Sequence, residues 1–196
     1  MLFRSQLVLV RLSVFHGGFQ REAAEHVAEA TLPVLSALVT KSLIRRSGAG
    51  RYDLHDLIWQ FAAEKSAEHP DQQAATQTRH SQHYLRYFSQ VDVRLRSPAQ
   101  RETLAELTAE MDNFRAAWDW AVTSGEFALI EQTMRTFFRF YDTRGWFQEA
   151  LDTLDRAMAA LEMVHGHSPP DRTEQVALGH LLATHSLLAC IPTGRP

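Results

Sequence analysis

The amino-acid sequence predicts a mainly α-helical chain: a winged helix, made of helices plus one small β-hairpin, followed by stacked antiparallel helical hairpins. Three observations predict it. Apolar residues recur at three- and four-residue steps along most of the 196 residues. Only the stretch from Ser42 to Leu54 reads as short extended runs around a turn with two glycines. The breaks between helical runs are short Gly, Ser and Pro clusters, which suit antiparallel neighbours.

The first third gives the winged-helix order. Residues Leu2 to Phe15 carry apolar Leu7, Val8, Leu12 and Phe15, whose spacing fits a helix and would also fit a short strand. Gly17-Gly18 breaks the chain. A second helix is predicted from about Arg21 to Ala30, with Ala24, Val27 and Ala28 on one side. Thr31 suits an N-cap, and Pro33 sits in the first turn, where its missing N–H costs nothing. The third helix runs from about Pro33 to Lys41 and turns Leu35, Leu38 and Val39 inward. Ser42 to Arg46 and Arg51 to Leu54 are read as paired strands, with Ser47 to Gly50 as the turn. A helix from His55 to about Ser66 carries Leu57, Ile58, Phe61 and Ala62. Pro70 to Gln73 closes this unit, and the polar stretch Asp71 to Arg79 begins the next helix as a linker. The predicted divisions are residues 1–70, a linker helix over 71–97, and helical repeats over 98–196.

The remainder reads as helix after helix. Tyr84, Leu85 and Phe88 mark one from about Gln77 to Val91. After Ser97-Pro98, a single helix is predicted to carry Leu104, Leu107, Met111, Phe114, Trp118 and Ala121, the clearest amphipathic stripe in the chain. Ser124-Gly125 stops it. The next carries Phe127, Ile130, Met134, Phe137 and Tyr141 and is stopped by Gly145. Another carries Phe147, Leu151, Leu154, Met158 and Leu161. A loop over His165 to Pro170 precedes a last helix, about Thr173 to Cys190, with Leu178, Leu181, Leu182 and Leu188. The segment Tyr141 to Leu151 resembles the turn of a tetratricopeptide repeat, in which Ala150, Leu154 and Ala157 would pack closely. The resemblance implies an α-helical tetratricopeptide-like solenoid. The run Ile191 to Pro196 stands where a partner helix should begin, so a truncated array is expected.

Composition narrows the function. Hydrophobic residues make up 45% and charged residues 22%, the balance of ordinary globular chains. A net charge of -3 provides no global attraction to nucleic acid or anionic membrane. A lone cysteine, Cys190, cannot form an internal disulfide and is expected to be a small buried residue. No stretch has the length of a secretory signal or a membrane span, so a cytoplasmic protein without membrane contact is expected.

Lys41, Arg45, Arg46 and Arg51 could meet DNA phosphates from the third helix and hairpin. However, Val34 to Thr40 holds no Arg, Asn or Gln to read base edges, so DNA contact through this chain is not the leading expectation. His80 and His83, three apart, and His165 and His167 lack companion carboxylates or thiols at ligand spacing, and no metal is expected. Trp118, Trp120, Phe137, Phe138 and Trp146 are read as core. No nucleophile–base or paired-carboxylate set stands out, so no catalysis is expected.

Several stretches in order resemble a known family. They are Leu12-Ser13-Val14-Phe15-His16-Gly17-Gly18-Phe19 with Glu22-Ala23-Ala24, then Leu35 to Ile44, then Arg51-Tyr52-Asp53-Leu54-His55-Asp56-Leu57 with Gln60 to Lys65, then Leu107 to Trp120. Together they resemble bacterial STAND-class ATPase regulators of the NB-ARC/AAA type, including large LuxR-type and antibiotic-regulatory-protein-type activators. The resemblance implies a winged-helix domain and the start of a helical sensor region. It makes Leu54-His55-Asp56 the counterpart of a Met-His-Asp motif, with His55 near the β-phosphate of ADP and Asp56 supporting it; leucine replaces the motif's methionine. It implies a nucleotide-binding ATPase domain and a protein or small-molecule inducer as partners, with ATP or ADP and Mg held by that ATPase domain. No G-x-x-x-x-G-K-[ST] sequence occurs here, so this chain is expected to bind no cofactor and to turn over no ATP. The expected role is that of a non-catalytic regulatory and protein-interaction fragment. The alternatives are a free-standing winged-helix transcription factor with a helical dimerisation region, and a gene remnant.

Overall fold

A computed structural model describes residues 2–47, 50–165 and 172–191. The chain is mainly α, with the winged-helix order of elements first and a helical region after it. In sequence order these are α1 (Leu2–Leu12), α2 (Arg21–Ala28), α3 (Leu32–Thr40), β1 (Ile44–Arg46), β2 (Tyr52–Leu54), α4 (Asp56–Ala67), α5 (Pro70–Gln90), a 3-10 turn (Arg94–Arg96), α6 (Gln100–Ala109), α7 (Met111–Thr123), α8 (Phe127–Arg144), α9 (Phe147–His165) and α10 (Arg172–Ala189). They form two compact units. One holds Met1–Tyr84 and Ala109–Ala117, the other Leu85–Thr108 and Trp118–Pro196.

In the first unit, Val8 and Leu12 lie on the inner side of α1 and are buried, as is Phe15 just past its end. Leu7, read with them, is instead exposed. Ala24 and Val27 of α2 and Leu35 and Leu38 of α3 complete the apolar floor. Glu29, in the left-handed region at φ 56°, ends α2, and the N–H of Ala30 returns to the Ala24 carbonyl at 3.1 Å. The hairpin pairs Ile44 with Leu54, Arg45 with Asp53 and Arg46 with Tyr52. Phe19 joins the far side of β2, exchanging both backbone hydrogen bonds with Tyr52 at 2.8 Å. Of the turn read over Ser47 to Gly50, Gly48 and Ala49 lie outside the described residues. On α4, Ala62 is buried, while Leu57 and Phe61 face outward.

The stretch 71–97, read as a linker, is α5 and the 3-10 turn. Its polar first half is not surrounded by solvent: Thr76, His80 and Ser81 are buried in the first unit. The single helix expected from Leu104 to Ala121 is two, α6 and α7, parted at Glu110. The apolar stripe survives the break, with Leu107, Met111, Phe114, Trp118 and Ala121 all buried.

The second unit is held by α8, whose Phe127, Ile130, Met134, Phe137 and Tyr141 are all buried, as the spacing requires. Trp118 stacks on Phe137 at 5.1 Å, whereas Trp120, Phe138 and Trp146 are half-buried. The inner face of α9 is Ala150, Leu154, Ala157 and Leu161, small and large residues alternating. α10 packs on both α8 and α9. Its buried residues are Ala177, Leu181, Thr184 and Leu188; Leu182 is turned outward, and Cys190 is exposed rather than buried. Asp92 accepts from Arg139 at 3.0 Å and Arg96 at 2.9 Å, which fixes the 3-10 turn against α8.

Gly145 closes α8 at φ 69°, and the Trp146 N–H reaches the Tyr141 carbonyl at 3.1 Å. An added Cβ there would meet nothing within 4 Å, so only the left-handed backbone opposes a side chain. Gly145→Ala is therefore expected to cost about 1–2 kcal/mol in a urea titration and to leave the fold intact.

Candidate functional site: a buried polar junction beneath the hairpin

Three of the sequence stretches singled out above meet in the first unit. His16-Gly17-Gly18, Arg51 just before β2 and the Glu110 to Asn113 segment surround one buried cluster of polar side chains. Glu110 sits at the α6–α7 break with a side chain only 3% exposed. A buried carboxylate needs a counter-charge and hydrogen bonds. Arg51 supplies the charge, bonding Glu110 through both terminal nitrogens. The same guanidinium reaches the Gly17 carbonyl at 3.4 Å and the Ala109 carbonyl at 3.2 Å.

Asn113 is fully buried and uses its whole amide. Nδ2 donates to the Gly18 carbonyl at 2.8 Å and to Glu110 at 3.2 Å. Oδ1 accepts from the His16 backbone N–H at 2.8 Å and meets His80 Nε2 at 3.3 Å. A backbone N–H can only donate, which fixes which end of the amide faces His16. That in turn requires His80 to carry its proton on Nε2.

The loop can come this close because it lacks side chains. Gly18 has φ 83°, and a Cβ there would stand 2.9 Å from the Tyr52 carbonyl oxygen. Trp59 of α4 closes the far side, its Nε1 donating to the Phe15 carbonyl at 3.1 Å.

Histidines gather at this junction, and burial keeps them neutral. His80 lies against Phe15 and Tyr84, at 5.4 and 4.8 Å between ring centres. Burial lowers its pKa to about 3, opposed by the bond to Asn113 and aided by His16 and His83. Burial first, and then the neighbouring His26, lower His83 to about 4. The two rings stack at 5.7 Å. Burial lowers His16 too, against the pull of Asp112.

The residues expected to bind nucleotide or DNA lie elsewhere on this unit or have other partners. His55 is the exposed N-cap of α4, at φ -67° and ψ 141°, and its side chain caps nothing. Its carbonyl accepts the first helical bond, from Trp59 at 2.9 Å. Asp56 is exposed in the first turn. Arg45 lies opposite Asp53 in the hairpin and bonds it at 2.9 Å. Arg46 stands over the Tyr52 ring at 5.9 Å, and Lys41 is exposed past the end of α3. Arg51, read with them as a wing cation, is instead turned inward onto Glu110.

Among the described residues no group of three His, Cys, Asp or Glu is placed to hold a metal, and no helix is long and apolar enough to cross a membrane. His167 lies outside the described residues.

Sequence reasoning missed Glu110 and Asn113 as site residues. The available signal was position: Glu110 is three residues from Leu107 on the inward side of an apolar stripe, where a carboxylate must find a partner.

No family model matches the chain, and no solved structure does. Over 130 residues, 61% of the chain, it is 30% identical to a protein of Mycobacterium bovis (strain ATCC BAA-935 / AF2122/97). The same identity and span hold for proteins of Mycobacterium tuberculosis strains CDC 1551 / Oshkosh and ATCC 25618 / H37Rv. Each is named as an HTH-type transcriptional regulator. The matched region spans only 14% of each relative's length. The chain is thus similar, over most of its residues, to part of much longer transcriptional regulators.

Proposed function

We propose that this chain is a regulatory segment of a larger transcriptional regulator and acts by contacting other protein, without catalysis. The likeness to long HTH-type regulators supports the regulatory part of this reading. One observation carries the protein-contact part: the hairpin's Arg51 is committed to Glu110, and the exposed side chains of α3 offer no Arg, Asn or Gln to a base edge. Basic and acidic residues also balance in the first unit, ten of each, which leaves no net field to draw a polyanion. The finer version of this reading is a STAND-class regulator. Its support is the order of the matching stretches, and it would set exposed His55 and Asp56 against a nucleotide-binding domain. The helical region, with its tetratricopeptide-like turn at Gly145, would receive a protein or small-molecule inducer.

The second reading is a DNA-binding winged helix with a helical dimerisation region. The relatives' names favour it, as does the exposure of Lys41, Arg45 and Arg46. Selection from a random duplex pool, followed by fluorescence anisotropy across a salt series, separates the two. Protein contact predicts no enriched sequence and weak binding of about 10⁻⁴–10⁻⁶ M at physiological salt. A selected site bound about a thousandfold or more above random duplex would establish the second reading instead.

A further inference from the structure

We propose that the cleft enclosed by α1, α4 and the start of α5 is a binding site for a small amphiphilic anion, a carboxylate carried on an aliphatic or aryl body. The cleft has a volume of about 390 Å³ and lies within the first unit. That is the size of a small-molecule site, roughly 300–1,000 Å³. Its apolar wall is Leu7, Leu9 and Val10 of α1 with Phe61 of α4. Leu7 and Phe61 are 39% and 52% exposed, so two large apolar side chains face an open space that an apolar body would fill.

The polar wall decides the head group. Its permanent charges are Arg11, Lys65 and Glu68, which leaves the lining net positive. Arg11 pairs with Glu29 at 2.8 Å, but Glu29 does not line the cleft, and Arg11 Nε is buried without a hydrogen-bond partner. The guanidinium therefore keeps one donor that no protein atom takes up. Lys65 pairs with Glu68 at 2.7 Å, with both side chains about half exposed. Such a pair contributes little in water, so Lys65 can exchange its carboxylate for a ligand's. A hydrocarbon would leave these cations unused. A nucleotide would bring more charge than two cations answer and would meet Leu and Phe where it needs donors.

Titration of the ¹⁵N-labelled full chain with octanoate, and separately with octan-1-ol, tests this. Saturable shifts are expected in amides of α1, α4 and the first turns of α5, with octanoate at least tenfold tighter than the alcohol. Val10→Trp, which fills the cleft, should weaken octanoate at least tenfold. If that variant fails to fold, Leu7→Trp at the exposed rim serves in its place. Lys65→Gln should weaken octanoate and leave the alcohol unchanged. Shifts elsewhere, no saturation, equal affinity for acid and alcohol, or indifference to the filling variant would each overturn the proposal.

Discussion

Replacing Arg51 by alanine is expected to cost about 3–5 kcal/mol of unfolding free energy. The reason is what stays behind. Glu110 would remain buried at 3% exposure with its counter-charge gone, and Asn113 and Gln20 alone cannot neutralise it. Arg51→Ala combined with Glu110→Gln should recover at least about 1 kcal/mol, because the amide removes the stranded charge. Urea titrations of the two variants, with hydrogen exchange of the Phe19 and Tyr52 amides, check both statements. A loss below about 1 kcal/mol for Arg51→Ala would show that the pair is an exposed contact of little consequence.

Acid is expected to have the next largest effect. His80 and His83 have folded-state pKa values of about 3 and about 4, against an ordinary 6.5. Well above pH 6.5 both are neutral whether folded or unfolded, and their titration exerts no leverage. Below it the unfolded chain binds protons that the folded chain refuses, so stability falls as pH drops from 6.5 toward the folded values. Each imidazole contributes a slope of at most about 1.4 kcal/mol per pH unit. His83 is less deeply buried than His80, and solvent screening trims its share. A loss of a few kcal/mol by pH 4.5 is expected, before most carboxylates titrate. Urea midpoints measured from pH 7.5 to 4.5 should show this decline, and His83→Gln should make it shallower while the His80 share remains. A pH-independent midpoint would mean that these rings are hydrated in solution.

The parts of the fold set by regular spacing were legible in the sequence. The stripe of α8 has one apolar face, and every residue read inward on it is buried. The hairpin was legible because its turn chemistry is local. What could not be read depended on distant partners. The α6–α7 break is invisible to periodicity, since the stripe runs through it; it falls at Glu110, whose buried carboxylate meets Arg51, 59 residues earlier. Arg51 looked like a wing cation because a β-strand's sequence does not say which face of the hairpin is covered. Leu57 and Phe61 on α4 and Leu182 on α10 are apolar yet exposed, and hydrophobicity alone ranks them with the core. The polar start of α5 read as a linker for the converse reason. Thr76 and Ser81 can be buried because their hydroxyls are satisfied by the carbonyls of Gln72 and Ala117, both at 2.8 Å.

The interleaving of the two units has a consequence for how the chain is born. The hairpin leaves the ribosome well before the residue that neutralises its arginine. At roughly 5–20 residues per second, synthesis of the intervening stretch takes about 3–12 seconds. Throughout that interval the nascent winged helix lacks Asn113, so the Gly18 carbonyl, and His80 once it is made, have no amide to meet. Its final closure is timed by the arrival of a segment from beyond α6, and a nascent chain halted before Glu110 holds an open half of a lock.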